Sequence, residues 1–339
     1  MNDGMARILQ ALHEADGVPC SGGQLSTALG VSRAQIWKHV TALRDRGYRI
    51  DGEPGGGYRL VAVPDRLFAE EIQRGLSTVW LGRNLHYFDE IDSTNRAALD
   101  LARSGAAHGT AVIAEAQHAG RGRLGRSFHS PAHQNLYTSI VLRPQIDTAR
   151  APTLLLAAGV AVAEAIVDWL GDAEPVRIKW PNDVLLGGRK TSGILMELGA
   201  EEARVSHAVL GIGVNLNVDP STFPAEFRER ATSLSRFAGR PVDRAAFTRL
   251  LYSRLEDVLD AHARGGLPAV RARFDAFFDM LGRTVTVHQM GDSVLVGTVL
   301  GLAESGALQI ESSDGNRLTV FAGDVSLSPP ADPSGGSLP

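Results

Sequence analysis

A single cysteine, Cys20, stands in 339 residues, which excludes an intramolecular disulfide framework and suits a reducing cytoplasm. Lysine is almost as scarce: of 34 basic residues, all but Lys38, Lys179 and Lys190 are arginine. Nucleotide composition accounts for a general drift of that kind. Such a drift should still spare lysine where a compact, titratable ammonium on a flexible stem is needed, so the three survivors mark places to look. Charge of one sign is also lacking, and a net −4 argues against a wholesale polyanion binder. No long apolar stretch follows Met1-Asn-Asp-Gly-Met-Ala-Arg, so no secretory signal is read. The longest apolar run, 154–170, is broken by Glu164 and Asp168, which share one helix face; it reads as a buried amphipathic helix rather than a membrane span. His129 and His133 have the spacing of a metal pair, but Pro131 lies between them and no third ligand is in register, so they read as loop histidines.

With 44% hydrophobic residues, a chain of this length divides into two or three domains. Residues 1–63 read as three helices and a hairpin. Ser21-Gly-Gly-Gln24 and Ser32-Arg-Ala-Gln35 are two capping boxes that start short helices, with Gly30 turning between them. Ile36, Val40 and Leu43 give the third helix an apolar face, while Arg33, Trp37, Thr41 and Arg44, with Lys38 beside them, form the other. A glycine-rich hairpin follows. This is a winged helix-turn-helix pattern, with Ser32, Arg33, Gln35, Trp37, Lys38 and Arg44 as candidate DNA contacts; a helical docking module with a solvated basic face is the alternative. The segment is close to neutral, so one copy should bind DNA weakly and specific binding should require a dimer.

After a linker at 61–66, residues 67–278 alternate helix and strand signals, the strands near 85–88, 111–114, 136–142, 176–179, 193–197 and 208–215, as expected of a mixed α+β domain. Residues 280–328 change to short alternating strands with turns at Gly291-Asp and Asp314-Gly, read as a small β-barrel. The Pro, Gly and Ser tail at 329–339 is expected to be disordered.

Glu115-Ala-Gln-His-Ala-Gly-Arg-Gly-Arg-Leu-Gly-Arg126 interleaves three glycines with three arginines directly after a β-prone run. Glycines let backbone N–H groups approach an anion closely and guanidiniums offer forked donors, although the pattern is neither a Walker loop nor a dinucleotide fingerprint. A mobile basic surface loop fits it equally. Lys179-Trp-Pro-Asn-Asp183 ends a strand at Pro181, placing Asn182 and Asp183 on the following turn. A hairpin through Gly187-Gly188 then carries Lys190, beside Arg189, out on the return strand. Asp92-Ser-Thr-Asn95 precedes a helix, where capping is the plain role and ligand recognition the other. Gly211-Ile-Gly-Val-Asn-Leu-Asn217 is an apolar strand whose glycines permit close backbone approach, with Asn215 and Asn217 on one side.

In this order the five motifs resemble those of biotin protein ligases. With the winged N-terminus and terminal barrel, roughly residues 5–327 resemble the bifunctional class that also represses the biotin operon. The resemblance implies a catalytic domain of the biotin/lipoate ligase type, related to class II synthetases, and an SH3-like terminal barrel. It implies that biotin and Mg-ATP give biotinyl-5′-adenylate and pyrophosphate, after which a lysine of the biotin carboxyl carrier protein attacks the mixed anhydride. No tightly bound prosthetic group and no covalent enzyme intermediate are expected. Carried onto matching positions, Ser93, Thr94, Asn95 and Gln117 hold biotin. Arg121, Gly122 and Arg123 close over biotin and phosphate, and Lys190 meets the carboxylate and α-phosphate. Asp183 is the Mg²⁺ or pyrophosphate-side residue and Asn215 the adenine-side contact. Phe128 stands where the family often has tryptophan and still offers a face to a base, with less area and no indole N–H. The resemblance further implies operator DNA as a partner and a homodimer when adenylate is bound. The alternatives are a lipoate or octanoate protein ligase, against which the Gly-Arg-Gly-Arg loop and winged domain weigh, and a ligand-sensing regulator without ligase activity, against which Lys190, Arg121 and Arg123 weigh.

Overall fold

The structure is a computed structural model that describes residues 1, 3–53, 56–289 and 293–327. Chain contacts divide it into two compact units, Met1–Arg66 and Leu67–Pro339. In the first unit, helices α1 (Asp3–Glu14), α2 (Gly22–Leu29) and α3 (Arg33–Asp45) precede an antiparallel pair, β1 (Arg49–Glu53) and β2 (Gly57–Ala62). Both capping boxes form, and Gly30 takes the left-handed conformation that ends α2. Ile8, Leu12, Ile36, Val40 and Leu43 fill the core of this unit. The expected linker begins two residues too early, since residues 61 and 62 complete β2. Part of the hairpin tip, with Gly55, lies outside the described residues.

The second unit is built on a seven-stranded mixed sheet in the order β3-β4-β5-β9-β8-β7-β6. Its strands are β3 (Leu85–Ile91), β4 (Ala111–Gln117), β5 (Leu136–Leu142), β6 (Val176–Lys179), β7 (Asp183–Leu186), β8 (Arg189–Glu201) and β9 (Arg204–Val214). Strands β3 and β4 pair in parallel and the other neighbours in this sheet antiparallel. Helices α4 (Ala69–Gln73), α5 (Thr94–Arg103), α6 (Pro152–Leu170), α7 (Ala225–Arg228), α8 (Leu234–Ala238) and α9 (Arg244–Asp275) accompany the sheet. Ala98 and Ala102 of α5 pack with Val112, Val141 and Val209, whereas α6 and α9 share the large core with Ile113, Ile140 and Ile212. By length and composition α6, with the turn before it, is apolar enough to cross a membrane, yet 67% of that window is buried. The two acids that interrupt its run explain their presence: Glu164 pairs with Arg273 and Asp168 with Arg254, both from α9.

Strands β10 (Thr284–His288), β11 (Val294–Leu302), β12 (Leu308–Glu311), β13 (Arg317–Val320) and β14 (Asp324–Leu327) form a second sheet, ordered β13-β12-β11-β10-β14 and antiparallel throughout. The strand-rich terminal domain expected at 280–328 is thus present as one five-stranded antiparallel sheet, with no β13–β14 pairing among the described residues. The turn at Gly291-Asp292 and the tail from residue 329 lie outside them. Trp180, 2% exposed, donates its indole N–H to the Gly306 carbonyl at 3.0 Å and so ties the terminal sheet to the end of β6.

Candidate functional site

A cavity of about 640 Å³ lies among the start of α5, the end of β4, the loop that follows it, β8, β9 and β14. Ser93, Thr94, Asn95, Gln117, Arg121, Gly122, Arg123, Phe128, Asp183, Lys190 and Asn215 all line it, so residues separated by more than a third of the chain converge on one space. The six candidate DNA contacts belong to the other unit.

One wall is a polar chain. Gln117 Oε1 accepts from the Thr94 backbone N–H at 2.9 Å and from its hydroxyl at 3.1 Å, and Gln117 Nε2 donates to Ser130 Oγ at 3.0 Å. The buried Ser139 hydroxyl lies 2.8 Å from Thr94 Oγ1 and 2.6 Å from Asn95 Oδ1. Both lone pairs of the Gln117 carbonyl are thereby used, which leaves one amide N–H as its remaining donor. Ser93 occupies the N-cap position of α5 but makes no capping bond, so the plain capping role expected for this turn is not the one its side chain takes.

The floor is glycine. Gly193 and Gly213 are cross-strand partners on β8 and β9, and the Phe128 ring lies across both. A Cβ on Gly213 would stand 2.5 Å from Phe128 Cζ, and one on Gly211 would collide with the Asn95 amide. The close approach that these glycines permit is made by the protein's own side chains.

Arginines form the roof. Arg121 donates to Glu197 Oε1 at 3.0 Å, while Glu197 Oε2 accepts from Asn95 Nδ2 at 3.0 Å. Arg123 donates to Asn182 Oδ1 at 3.0 Å and to the Gly323 carbonyl at 3.2 Å, and Arg126 to Asp324 at 2.7 Å. Burial lowers the Arg123 pKa from its ordinary value, while Asp183 and Asp324 oppose that shift. A partly desolvated guanidinium that remains charged attracts an incoming anion more strongly than one in water.

Lys190 projects from the β7–β8 hairpin, whose turn residues Gly187 and Gly188 both have positive φ, as the two-residue turn demands. Its ammonium lies 2.7 Å from Asp183 Oδ1, an oxygen that is buried without an aligned hydrogen-bond donor among the described residues. The contact is therefore one of charge rather than of hydrogen-bond direction. Asp183 opens β7 rather than sitting on the turn, because it already pairs with Lys179 and Gly193. Asn215 donates its amide to the Thr232 carbonyl at 3.2 Å. Asn217 closes a two-bond ring with the Val242 backbone and serves as a strut.

His133 contacts Glu115, and no cluster of three metal-ligating side chains occurs among the described residues. In the first unit, Ser32 and Gln35 bond each other's backbone, and Arg44 folds back on the Ile50 carbonyl through two N–H groups, 2.9 and 2.6 Å. Arg33, Trp37 and Lys38 remain as outward side chains of α3, Trp37 being 57% exposed. The pairings of Glu197, Asn182 and Asp324 were not anticipated from sequence. Their partners lie 76, 59 and 198 residues away, and no local spacing signals such pairs.

Residues 87–215 match the biotin/lipoate A/B protein ligase family, 5–59 an HTH domain and 280–328 the biotin protein ligase C terminal domain. The chain is 36% identical over 320 residues to the bifunctional ligase/repressor BirA of Bacillus subtilis strain 168, covering 94% of this chain and 97% of that protein. It is 36% identical over 317 residues to BirA of Escherichia coli strain K12, covering 92% and 94%. Among solved structures, the biotin protein ligase of Aquifex aeolicus in complex with biotin and ATP matches 73% of this chain and 99% of its own, at TM-score 0.61 and 30% identity.

Proposed function

Because the chain belongs to the family of bifunctional biotin ligases that double as repressors, we propose a division of labour among its residues. The chain is a biotin–[acetyl-CoA-carboxylase] ligase with a DNA-binding repressor module, and biotin and ATP are its substrates. The observation that carries the site assignment is that Lys190, Arg123 and the Gln117–Thr94 pair face one cavity.

Ser93, Thr94 and the remaining Gln117 N–H take the polar end of biotin, and Asn95 sets the start of α5 through Ser139 and Glu197. Arg121, Gly122 and Arg123 close over the biotin carboxylate and the α-phosphate. Attack of that carboxylate on the α-phosphate forms the mixed anhydride as pyrophosphate departs, and Lys190, drawn from Asp183 toward the reacting oxygens, stabilises the charge that develops there. The acceptor lysine of the biotin carboxyl carrier protein then attacks the acyl carbon, AMP leaves, and the amine proton is lost. Phe128, with glycine beneath it, stacks on the adenylate, and Asn215 contacts the adenine side. Asp183, released as Lys190 turns to the reacting oxygens, would hold a Mg²⁺ arriving with the nucleotide, an ion that takes most of its ligands from phosphate and water. When bound, it would neutralise phosphate charge.

Arg33, Trp37 and Lys38 meet the operator, and the biotin- and ATP-loaded protein dimerises on DNA. Incubation with ATP, the carrier domain and either biotin or lipoate tests the reading. Biotin should release pyrophosphate and raise the carrier mass; turnover with lipoate alone, or with neither, overturns it.

A further inference from the structure

The motif that opens the glycine–arginine loop begins with Glu115, to which the reaction gives no task. Glu115 is completely buried, as is its partner Arg244 at the start of α9, 2.8 Å away. Its other contacts are specific. Oε1 accepts the backbone N–H of Leu67, the first residue of this unit, at 2.7 Å, and the Tyr87 hydroxyl approaches at 3.4 Å. Oε2 meets His133 Nδ1 at 3.2 Å. Arg244 reaches the Asn135 carbonyl at 3.4 Å, just beyond His133.

Glu115 stands two residues before Gln117, where the chain enters the loop, and His133 stands where it leaves. His133 has φ +61°, a conformation uncommon for a residue with a side chain, and it persists where surrounding contacts over-determine it. We propose that Glu115 and His133 are positioning residues that clamp the entry and exit of the glycine–arginine loop to α9, fixing where Gln117, Arg121 and Arg123 stand when substrate enters. The inference rests on the ligase reading for its kinetic consequence, but not for the clamp itself. An untethered loop samples more conformations, so ligand binding must bear a larger ordering cost while the chemical step, once the loop is ordered, is unchanged.

The test uses the full chain with His133→Asn, which tolerates positive φ but is too short to reach Glu115, and with Glu115→Gln as a second variant. Tryptic cleavage after Arg121, Arg123 and Arg126 reads loop freedom directly. In a His133→Asn protein with an unchanged thermal midpoint, cleavage without ligand should rise about three- to tenfold, as expected for loss of one charge-assisted bond. The KM for biotin should rise by a similar factor with kcat within about twofold. Saturating biotin and ATP should restore protection. Unchanged cleavage and KM in the folded His133→Asn protein would overturn the clamp even if Glu115→Gln is impaired, since the buried pair would then be structural only. If the unsubstituted protein releases no pyrophosphate with biotin, the ligase reading fails while the cleavage comparison still judges the clamp.

Discussion

Lys190 and Asp183 project from adjacent strands of one hairpin and bring ammonium to carboxylate at 2.7 Å inside the cavity. Each is a ready partner for a charge that the other must release when a nucleotide enters. Lys190→Ala should slow adenylate formation by about 10²–10³-fold, the usual value of a donor aimed at developing charge. Biotin-dependent pyrophosphate exchange measures it, and a loss confined to the KM for biotin would count against the assigned role. Lys190→Arg should not restore the rate, because a planar fork does not replace a compact ammonium in this space.

Phe128 lies across the Gly193–Gly213 pair. Phe128→Ala should speed dissociation of the adenylate about three- to tenfold, in proportion to an aromatic contact, and Phe128→Trp should slow it. Gly213→Ala should mimic the first change, since the added methyl displaces the ring. Stopped-flow release of the intermediate checks all three variants.

On the DNA side, Lys38→Ala should lower operator affinity and reduce the slope of log affinity against log salt by about one, as for loss of one phosphate contact. Arg44 is turned toward the Ile50 carbonyl, so Arg44→Ala should loosen the wing, read by hydrogen exchange in β1, with a smaller change in that slope. Sedimentation with biotin and ATP should show the monomer passing to a dimer; an unchanged monomer with adenylate bound would remove dimerisation from the mechanism.

His262 is buried between α6 and α9, with Nε2 2.7 Å from Thr153 Oγ1, and desolvation followed by Arg150 lowers its pKa below the ordinary histidine value. A histidine held neutral in the fold takes up a proton more readily when unfolded, so its contribution to stability is present above about pH 6.5 and is lost as pH falls through the lowered folded value. Thermal midpoints followed downward from pH 7.5 should fall, and His262→Gln should flatten the fall. Parallel slopes would exclude His262 as its source.

Much of this molecule is legible in its sequence where the signal is local. Two strands are legible at their exact bounds, 136–142 from a mostly apolar run and 176–179 from alternation of apolar and basic residues, and the Gly187-Gly188 pair signals the turn because both positions require positive φ. The cavity-lining residues that lie within the five motifs were legible because the motifs kept their order, whereas Asp324, Phe223 and Phe227, which also line it, lie outside them. Pairs such as Glu115 with Arg244 were not, since 129 residues separate them and either residue alone reads as ordinary surface charge. The terminal sheet was legible as strands, but the order in which they pair was not, since strand alternation carries no information on that point.

Arg126 meets Asp324 across 198 residues, and Arg123 meets Gly323 across 200. During synthesis the arginine segment therefore leaves the ribosome long before the carboxylate and carbonyl that receive it. A nascent or prematurely terminated chain ending before residue 280 should contain every motif of the reaction and yet leave these two arginines without their far anchors. Both anchors of the arginine loop therefore have to wait for the terminal sheet, which ties assembly of the cavity roof to translation of β14.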